Sequence, residues 1–381
     1  MTYETQDGSG YFLYHSIGMY PDKEAETEAA FSQFSRSWSR LDDGQWMRAL
    51  AARQEFLTLW SNLIGAPGGT LTSAENVTTA LYSLIGALPE HHLRNRTLLI
   101  AGDCFPSLHF LLSGIAKRFG FELRTVPLRS GESWVRDEDI IAAWDESVGL
   151  ALLTFVTSTA SHRCDLDALV GHGRKMGSLI GVDITQGVGL IPFNVNKPRV
   201  DFTLSTSLKW LCGTPGAGII HVAEPLLKTC EPELRGWFSQ DNIFSWDLDA
   251  FAYAGDARRF DHGTPSVLAC AGSVPALKWH AEQDQAALLA HNRELGQRII
   301  DTAPSLGMTL ASPHEAERRG GSIMLRLPDG VDPASSVDRL REQAIYADCR
   351  GRIMRLSPGT VTTVEGVDRL LAGLAGNVKA A

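Results

Sequence analysis

The clearest fold signals of the chain lie in residues 178–222, SLIGVDITQGVGLIPFNVNKPRVDFTLSTSLKWLCGTPGAGIIHV. Two apolar runs within it, Leu179–Val182 and Val200–Leu204, have the length and composition of buried strands. Asp183 ends the first run, and Lys209 lies just beyond the second, before the loop GTPGAG and a further apolar run. Because open α/β sheets bind ligands at the carboxyl ends of their strands, the two charged residues are predicted to lie at a ligand-binding edge.

An acid and a lysine at this edge suit a pyridoxal phosphate site. In such a site a lysine forms the Schiff base and an acid pairs with the pyridinium nitrogen. The spacing alone leaves a second interpretation open, in which Asp183 caps a loop at a strand end and Lys209 is a surface lysine.

The composition is that of an average globular protein. The chain has 381 residues, a length typical of two lobes, with 44% hydrophobic and 21% charged residues. Its net charge of −9, with no basic run, argues against a nucleic-acid or anionic-membrane partner.

No apolar stretch approaches the roughly 20 residues that span a bilayer. The N-terminus lacks a secretory-signal pattern, so cytoplasmic residence is expected. The six cysteines form no CxxC pair, which predicts neither a metal site nor a disulfide framework.

Apolar runs alternate with helical patterns through the first two thirds of the chain. This alternation predicts βαβ units and a parallel sheet, with 65–76 as a loop that leads into a helix. Long helical patterns and then a strand–helix–strand–helix succession follow an aromatic-rich irregular segment. We therefore predict an N-terminal segment (1–45) that packs with the small domain, a large cofactor-binding domain (46–265) and a small C-terminal domain (266–381).

Several tracts, in matching order from residue 11 to the C-terminal helical pattern, resemble the class V group of fold-type I pyridoxal phosphate enzymes. Three are DxxQ (183–186), SLKW (207–210) and GTPGAG (213–218). Further tracts resemble kynureninases within that group: YHSIGMYP (14–21), ENVT (75–78), CFPS (104–107), GWFS (236–239) and YADCRGRIMRLSPG (346–359). The resemblance implies an α/β fold whose large domain has a mostly parallel sheet of the seven-stranded type flanked by helices, beside a small α+β C-terminal domain. It also implies pyridoxal 5′-phosphate as cofactor and a homodimer with shared active sites.

Lys209 and Asp183 are the catalytic residues that the resemblance implies. Lys209 would form the Schiff base, and its apolar neighbours Leu208, Trp210 and Leu211 would lower its pKa by desolvation. Asp183 would keep the pyridine nitrogen protonated, so that the ring accepts the electrons of a broken substrate bond. The alternatives remain a solvated surface lysine and a loop cap.

Further cofactor and substrate contacts are predicted along the same tracts. Gln186 stands where kynureninases carry histidine and where the cysteine desulfurase branch commonly carries glutamine. Its amide is predicted to donate to O3′ of the ring, although a surface polar residue is the alternative. Ser207 is predicted to contact the cofactor, and His15 and Ser16 the substrate.

The cofactor phosphate requires N–H groups and hydroxyls at a helix start. Val77 and Thr78, with Asn76 as the N-cap, are predicted to supply them; an ordinary capped helix is the alternative. The resemblance also implies that Thr264, in RFDHGTP, reaches the phosphate across the dimer interface.

Two aromatic residues and an arginine complete the predicted site. Phe105 would stack on the pyridine face, with core packing as the alternative. Trp237 would contact cofactor and substrate from the neighbouring subunit, with interface packing as the alternative. Arg355 is expected to bind the substrate α-carboxylate, since a planar guanidinium matches a carboxylate with two hydrogen bonds. Arg350 and Arg352 are nearby candidates for the same role.

Three departures argue against kynurenine itself as the substrate. Leu208 replaces the tyrosine that kynureninases place before the lysine, Thr264 replaces the asparagine that recognises the kynurenine side chain, and Gln186 replaces the histidine. Cysteine desulfurases carry a reactive cysteine well before the C-terminal arginine. Cys349 is only six residues before Arg355, so a persulfide role is not expected.

The preferred hypothesis is a kynureninase-like hydrolase or lyase. It would cleave a Cβ–Cγ or Cβ–heteroatom bond of an α-amino acid through aldimine and quinonoid intermediates. Class V aminotransferases and amino-acid epimerases are the first alternative, and a cysteine desulfurase or selenocysteine lyase is the second. A catalytically silent scaffold is disfavoured by the presence of Lys209, Asp183 and Arg355. The sequence predicts no metal.

Overall fold

A computed structural model describes residues 7–379. The first six residues of the predicted N-terminal segment and the last two of the predicted small domain lie outside the described residues.

The large sheet of the described chain has seven strands in the order β1-β7-β6-β5-β4-β2-β3. Its strands are β1 (Leu71–Ala74), β2 (Thr97–Ala101), β3 (Glu122–Val126), β4 (Val148–Thr154), β5 (Leu179–Asp183), β6 (Phe202–Thr206) and β7 (Gly218–Val222). Strands β6, β5, β4, β2 and β3 pair in parallel, whereas β7 pairs antiparallel with both β1 and β6. The prediction of a mostly parallel seven-stranded sheet is confirmed.

The prediction that residues 65–76 form only a loop is wrong at β1. This strand has four residues and pairs with β7 from Leu71 opposite His221 to Ala74 opposite Gly218. Two of its four residues, Thr72 and Ser73, are polar, and their side chains accept hydrogen bonds from the buried Arg53. A short strand with polar side chains lacks the apolar run by which the other strands were predicted.

Helices cover both faces of the sheet. The α-helices of the described chain are α1 (Lys23–Trp38), α2 (Gln45–Ile64), α3 (Val77–Ile85), α4 (Pro106–Phe119), α5 (Asp137–Ala142), α6 (Leu166–Met176), α7 (Glu224–Leu227), α8 (Val267–Glu282), α9 (Gln285–Thr302), α10 (Pro333–Arg341) and α11 (Val364–Lys379). One sheet face, with Leu98 and Ile100, packs in a core shared with α3 and α4. The other, with Leu99 and Leu153, shares a core with α2, α6 and α8. Burial on both faces explains why these strands are continuous apolar runs.

A second, antiparallel sheet has the order β10-β11-β9-β8. Its strands are β8 (Thr309–Leu310), β9 (Ile323–Arg326), β10 (Asp348–Arg350) and β11 (Ile353–Leu356). The two shortest, β8 and β10, were not predicted. Phe12 of the N-terminal segment is buried in the core of this sheet with α9 and α11, and its N–H donates to the Tyr346 carbonyl at 2.9 Å.

The predicted boundaries at 45/46 and 265/266 stay predictions. Helix α8 begins just after the second boundary, yet its residues Cys270, Val274 and Leu277 belong to the core beneath the large sheet. Across residues 7–379, no helix combines the length and apolar character needed to cross a membrane.

Candidate active site

The carboxyl ends of the central strands bring the predicted catalytic residues to one edge of the sheet. Asp183 is the last residue of β5, and Lys209 follows the end of β6 by three residues. Phe105, which follows β2, is the N-cap residue of α4. The Lys209 amine lies 5.2 Å from the centre of the Phe105 ring. This is the edge at which open parallel sheets bind their ligands.

The environment of Lys209 lowers the pKa of its amine to about 8. Burial is the main cause and the Arg355 charge adds to it, whereas the Asp183 charge opposes both. The tract YHSIGMYP packs on the Lys209 backbone, because a Cβ at Gly18 would lie 1.8 Å from the Lys209 carbonyl oxygen. Only glycine fits there. A half-buried lysine with a lowered pKa is suited to imine formation.

Asp183 is a buried carboxylic acid, and its Oδ1 accepts a hydrogen bond from the Thr185 N–H at 2.9 Å. Burial raises the pKa of this group, while the Thr185 hydrogen bonds and the Lys209 charge act in the opposite direction. A cation placed against Asp183 would compensate the desolvation of its carboxylate. A protonated ring nitrogen is such a cation.

Gln186 and Ser207 are buried beside these residues and already have protein partners. The Gln186 amide donates to the His15 carbonyl at 3.0 Å, which leaves its second N–H for another acceptor. The Ser207 hydroxyl donates to the Ala217 carbonyl at 2.6 Å and accepts from the Trp60 indole at 3.2 Å. Ser207 therefore holds the GTPGAG loop in place.

The start of α3 has the features predicted for a phosphate site. Asn76 caps this helix, its Oδ1 accepting from the Thr79 N–H at 2.9 Å. The first-turn N–H groups of Val77 and Thr78 have no partner within the helix. The exposed Thr264 belongs to a loop whose His262 lies 3.8 Å from Glu75, next to Asn76. The loop with Thr264 thus lies beside the start of α3.

Trp237 packs against the aromatic rings of Trp46 and Phe238 and not against the residues around Lys209. Its ring lies 6.3 Å from that of Trp46 and 4.8 Å from that of Phe238, and its indole N–H donates to the Ile243 carbonyl. It is 39% exposed, so this face is open to another molecule. Within this chain the structure does not join Trp237 to Lys209.

Arg355 lies on β11 with its guanidinium buried against Asp348. Its Nε donates to Asp348 Oδ1 at 2.8 Å and its Nη2 to Asp348 Oδ2 at 2.5 Å. His15 lies on the other side of this carboxylate, with Nε2 at 3.2 Å from Asp348 Oδ1, and its Nδ1 contacts the Ser357 hydroxyl at 2.6 Å. Ser16 is exposed beside it.

Burial raises the pKa of Asp348, but the contacts with His15 and Arg355 outweigh this effect and hold its pKa well below the usual range. Burial lowers the pKa of His15, against the influence of Asp348. Sequence reasoning missed Asp348. The sequence pattern that could have identified it is an acidic residue separated from Arg355 by a short segment that contains a glycine, as in a β-hairpin.

The residues fit pyridoxal phosphate. Lys209 offers an amine of lowered pKa, and Asp183 offers a buried acid that needs a cation. The Phe105 side chain is 46% exposed, so an aromatic face is available beside the lysine. Free N–H groups at the start of α3 suit a phosphate.

Comparisons with known proteins agree with this fit. A family model described as Aminotransferase class-V matches residues 59–370. The chain is 27% identical over 328 residues to isopenicillin N epimerase of Streptomyces clavuligerus, covering 82% of this chain and 81% of that protein. It is 26% identical over 308 residues to kynureninase of Geobacillus thermodenitrificans, covering 78% and 71%.

A solved structure, the apo cysteine desulfurase of Thermococcus onnurineus NA1, has a TM-score of 0.85 at 18% identity and covers 97% of this chain and 95% of that one. At this identity the similarity shows a shared fold. The family match spans most of the chain and includes Lys209 and Asp183. The chain therefore belongs to the aminotransferase class V family and is a pyridoxal phosphate-dependent enzyme of fold type I.

Proposed function

We propose that this enzyme acts on an α-amino acid and cleaves a Cβ–Cγ or Cβ–heteroatom bond, as a kynureninase-like hydrolase or lyase. The observation that carries the proposal is the series of contacts that joins the buried Arg355 to the site of Lys209. Arg355 donates to Asp348, which lies 3.2 Å from His15, and the His15 carbonyl accepts a hydrogen bond from the Gln186 amide. A carboxylate-binding guanidinium beside a Schiff-base lysine suits a substrate that has an amine and a carboxylate on one carbon.

Pyridoxal phosphate, when bound, would accept the electrons of a bond broken at the substrate Cα. The residues of this chain bind the cofactor and the substrate and move protons. Asp183 keeps a proton on the ring nitrogen, and Arg355 binds the α-carboxylate. Lys209 would hold the cofactor through Nζ and would move a proton at the substrate Cα. Phe105 would stack on the cofactor ring.

Three departures from the kynureninase pattern argue for a substrate other than kynurenine. Leu208 has no hydroxyl to assist a proton transfer, and Gln186 cannot titrate. Thr264 is shorter than an asparagine and lacks its amide. The polar contacts that would recognise an aromatic ketone are therefore replaced at all three positions.

An epimerase is the second candidate. The isopenicillin N epimerase relative is 27% identical and covers 82% of this chain. Exchange of the Cα proton by Lys209 serves both reactions, so the catalytic lysine does not distinguish them. A persulfide-forming enzyme is disfavoured, because burial raises the pKa of Cys349 to about 11, opposite to what a reactive thiolate needs.

The enzyme is further proposed to be a homodimer with shared sites. Thr264 and Trp237 are predicted site residues, yet both are exposed in the single chain. A second copy would bury them. Residence in the cytoplasm stays a prediction.

A panel of amino acids assayed with the holoenzyme tests the reaction class. A lyase that eliminates the Cβ substituent releases pyruvate and ammonia, whereas a hydrolase that cleaves Cβ–Cγ consumes water and releases alanine with an acyl product. Neither reaction needs a keto-acid acceptor. Solvent deuterium at Cα with inversion and no cleavage would favour the epimerase. Turnover that requires a keto acid would contradict both.

A further inference from the structure

The guanidinium of Arg355 is held from one side by a single carboxylate. Asp348 accepts hydrogen bonds from Nε and Nη2 of Arg355, with both of its oxygens engaged. The arginine is 7% exposed, so this pairing takes place largely away from water. Paired hydrogen bonds of this kind fix the plane of the guanidinium as well as its position.

Asp348 is itself held in place by two further groups. His15 lies 3.2 Å from its Oδ1, and the exposed Arg350 lies 3.3 Å from its Oδ2. His15 is in turn fixed by Ser357, whose hydroxyl contacts the Ser322 hydroxyl at 2.7 Å. The carboxylate is thus anchored to the N-terminal segment and to β10, independently of any substrate.

Three N–H groups of the guanidinium have partners in the protein. Asp348 accepts hydrogen bonds from Nε and from Nη2, and the Ser158 carbonyl lies 3.4 Å from Nη1. The second N–H of Nη2 points away from Asp348 and shares the outer edge of the planar group with an N–H of Nη1. A carboxylate fits that edge with two parallel hydrogen bonds.

We propose that Asp348 is a positioning residue that holds Arg355 so that its Nη1–Nη2 edge receives the substrate carboxylate. The inference rests on the proposed function, in which Arg355 binds the α-carboxylate, and assigns a role to a residue that does not touch the substrate. Without Asp348 the guanidinium can rotate about its terminal bonds, and the carboxylate loses a prearranged partner.

Two other roles for Asp348 give different results. If the aspartate only stabilises the fold, its removal lowers the Tm and leaves ligand discrimination intact. If it competes with the substrate for the guanidinium, its removal tightens carboxylate binding. A positioning role predicts that discrimination is lost.

The test uses two probes that differ only in the carboxylate, L-alanine and ethylamine. Each is titrated into the holoenzyme, and its Kd is obtained from the change in visible absorbance. The ratio of the ethylamine Kd to the L-alanine Kd measures what the carboxylate contributes. Asp348→Asn, which keeps the shape of the side chain, is expected to reduce this ratio about ten-fold. Asp348→Glu is expected to recover part of it.

Asp329→Asn is the matched control. Asp329 is an exposed aspartate 3.6 Å from Arg352, and its substitution is expected to leave the ratio unchanged. Arg355→Lys is expected to lose at least as much discrimination as Asp348→Asn, because a lysine cannot form two parallel hydrogen bonds.

The outcomes separate the two proposals. A wild-type enzyme that does not discriminate L-alanine from ethylamine contradicts the proposed amino-acid function. A wild-type enzyme that discriminates, with an unchanged or increased ratio in Asp348→Asn, leaves that function standing and overturns the positioning role. If Asp348→Asn does not fold, the same comparison with Asp348→Ser, which also removes the carboxylate, decides.

Discussion

The amine of Lys209 faces the ring of Phe105 at 5.2 Å, although the two residues follow different strands of the sheet. Lys209 follows β6, and Phe105 begins α4 after β2, with β4 and β5 between these two strands. The pair spans the edge above Asp183, which ends β5. The aromatic ring of Phe105, the amine of Lys209 and the acid Asp183 therefore lie together at the carboxyl edge of the sheet.

Replacing Phe105 with leucine is expected to weaken cofactor binding. Aromatic stacking contributes about 1 kcal/mol beyond area burial, so the Kd for pyridoxal phosphate should rise about five-fold. Absorbance titration of the apoenzyme measures it. Phe110→Leu is the control, since Phe110 lies on the same helix and is 71% exposed. Equal effects in the two variants would show that Phe105 does not cover the ring.

The pH dependence of cofactor attachment follows from the lysine. The pKa of Lys209 is lowered to about 8, so its amine is charged below that pH and neutral above it. The rate at which apoenzyme forms the Schiff base should rise through pH 8. In Asp183→Asn the midpoint should move lower, because the Asp183 charge opposes the shift. A midpoint near the ordinary lysine value would contradict the described environment.

Asp183→Asn is expected to lower turnover without lowering the stability of the apoprotein. Burial raises the pKa of Asp183 in the folded apoprotein above its value in the unfolded chain, so at pH 7 ionisation of this group favours the unfolded chain. The apoprotein Tm is therefore expected to stay level or rise in the variant. Turnover should fall about 100-fold, because the ring nitrogen loses its charged partner. A lower apoprotein Tm together with unchanged turnover would contradict both parts.

A buried ion pair away from the lysine should matter for stability. Arg53 and Asp261 are both buried, with Nη2 at 2.7 Å from Oδ1. Arg53→Met leaves Asp261 unpaired and should cost about 3–5 kcal/mol in the free energy of unfolding, measured with urea. Lys228→Met breaks an exposed pair with Glu224 and should cost at most about 1 kcal/mol. Similar losses of unfolding free energy in the two variants would show that burial does not make the Arg53–Asp261 pair more important for stability.

The sequence predicted that Asp183 and Lys209 lie at the carboxyl edge of the sheet, because the signals for this placement are local. A continuous apolar run ending in Asp183, and another shortly before Lys209, specify two strand ends without knowledge of the rest of the fold. The same reasoning missed β1, whose Thr72 and Ser73 are satisfied by Arg53 from α2. That contact depends on tertiary packing.

Asp348 was missed for a related reason. Its partnership with Arg355 depends on the register of β10 and β11, in which the two residues lie directly opposite. A shift of one residue would place Asp348 on the other face of the sheet. The prediction for Trp237 is of another kind, because it concerns a contact with the active site of a neighbouring subunit. That contact requires a second chain.

Borohydride reduction of the holoenzyme tests whether Lys209 holds the cofactor. The reagent fixes the cofactor to whichever amine holds it, and peptide mapping by mass spectrometry then identifies that residue. We expect the visible absorbance band to disappear and the pyridoxyl label to be on Lys209, with none in Lys209→Ala and full labelling retained in the control Lys228→Ala. A label on another lysine, or full activity in Lys209→Ala, would show that Lys209 does not hold the cofactor.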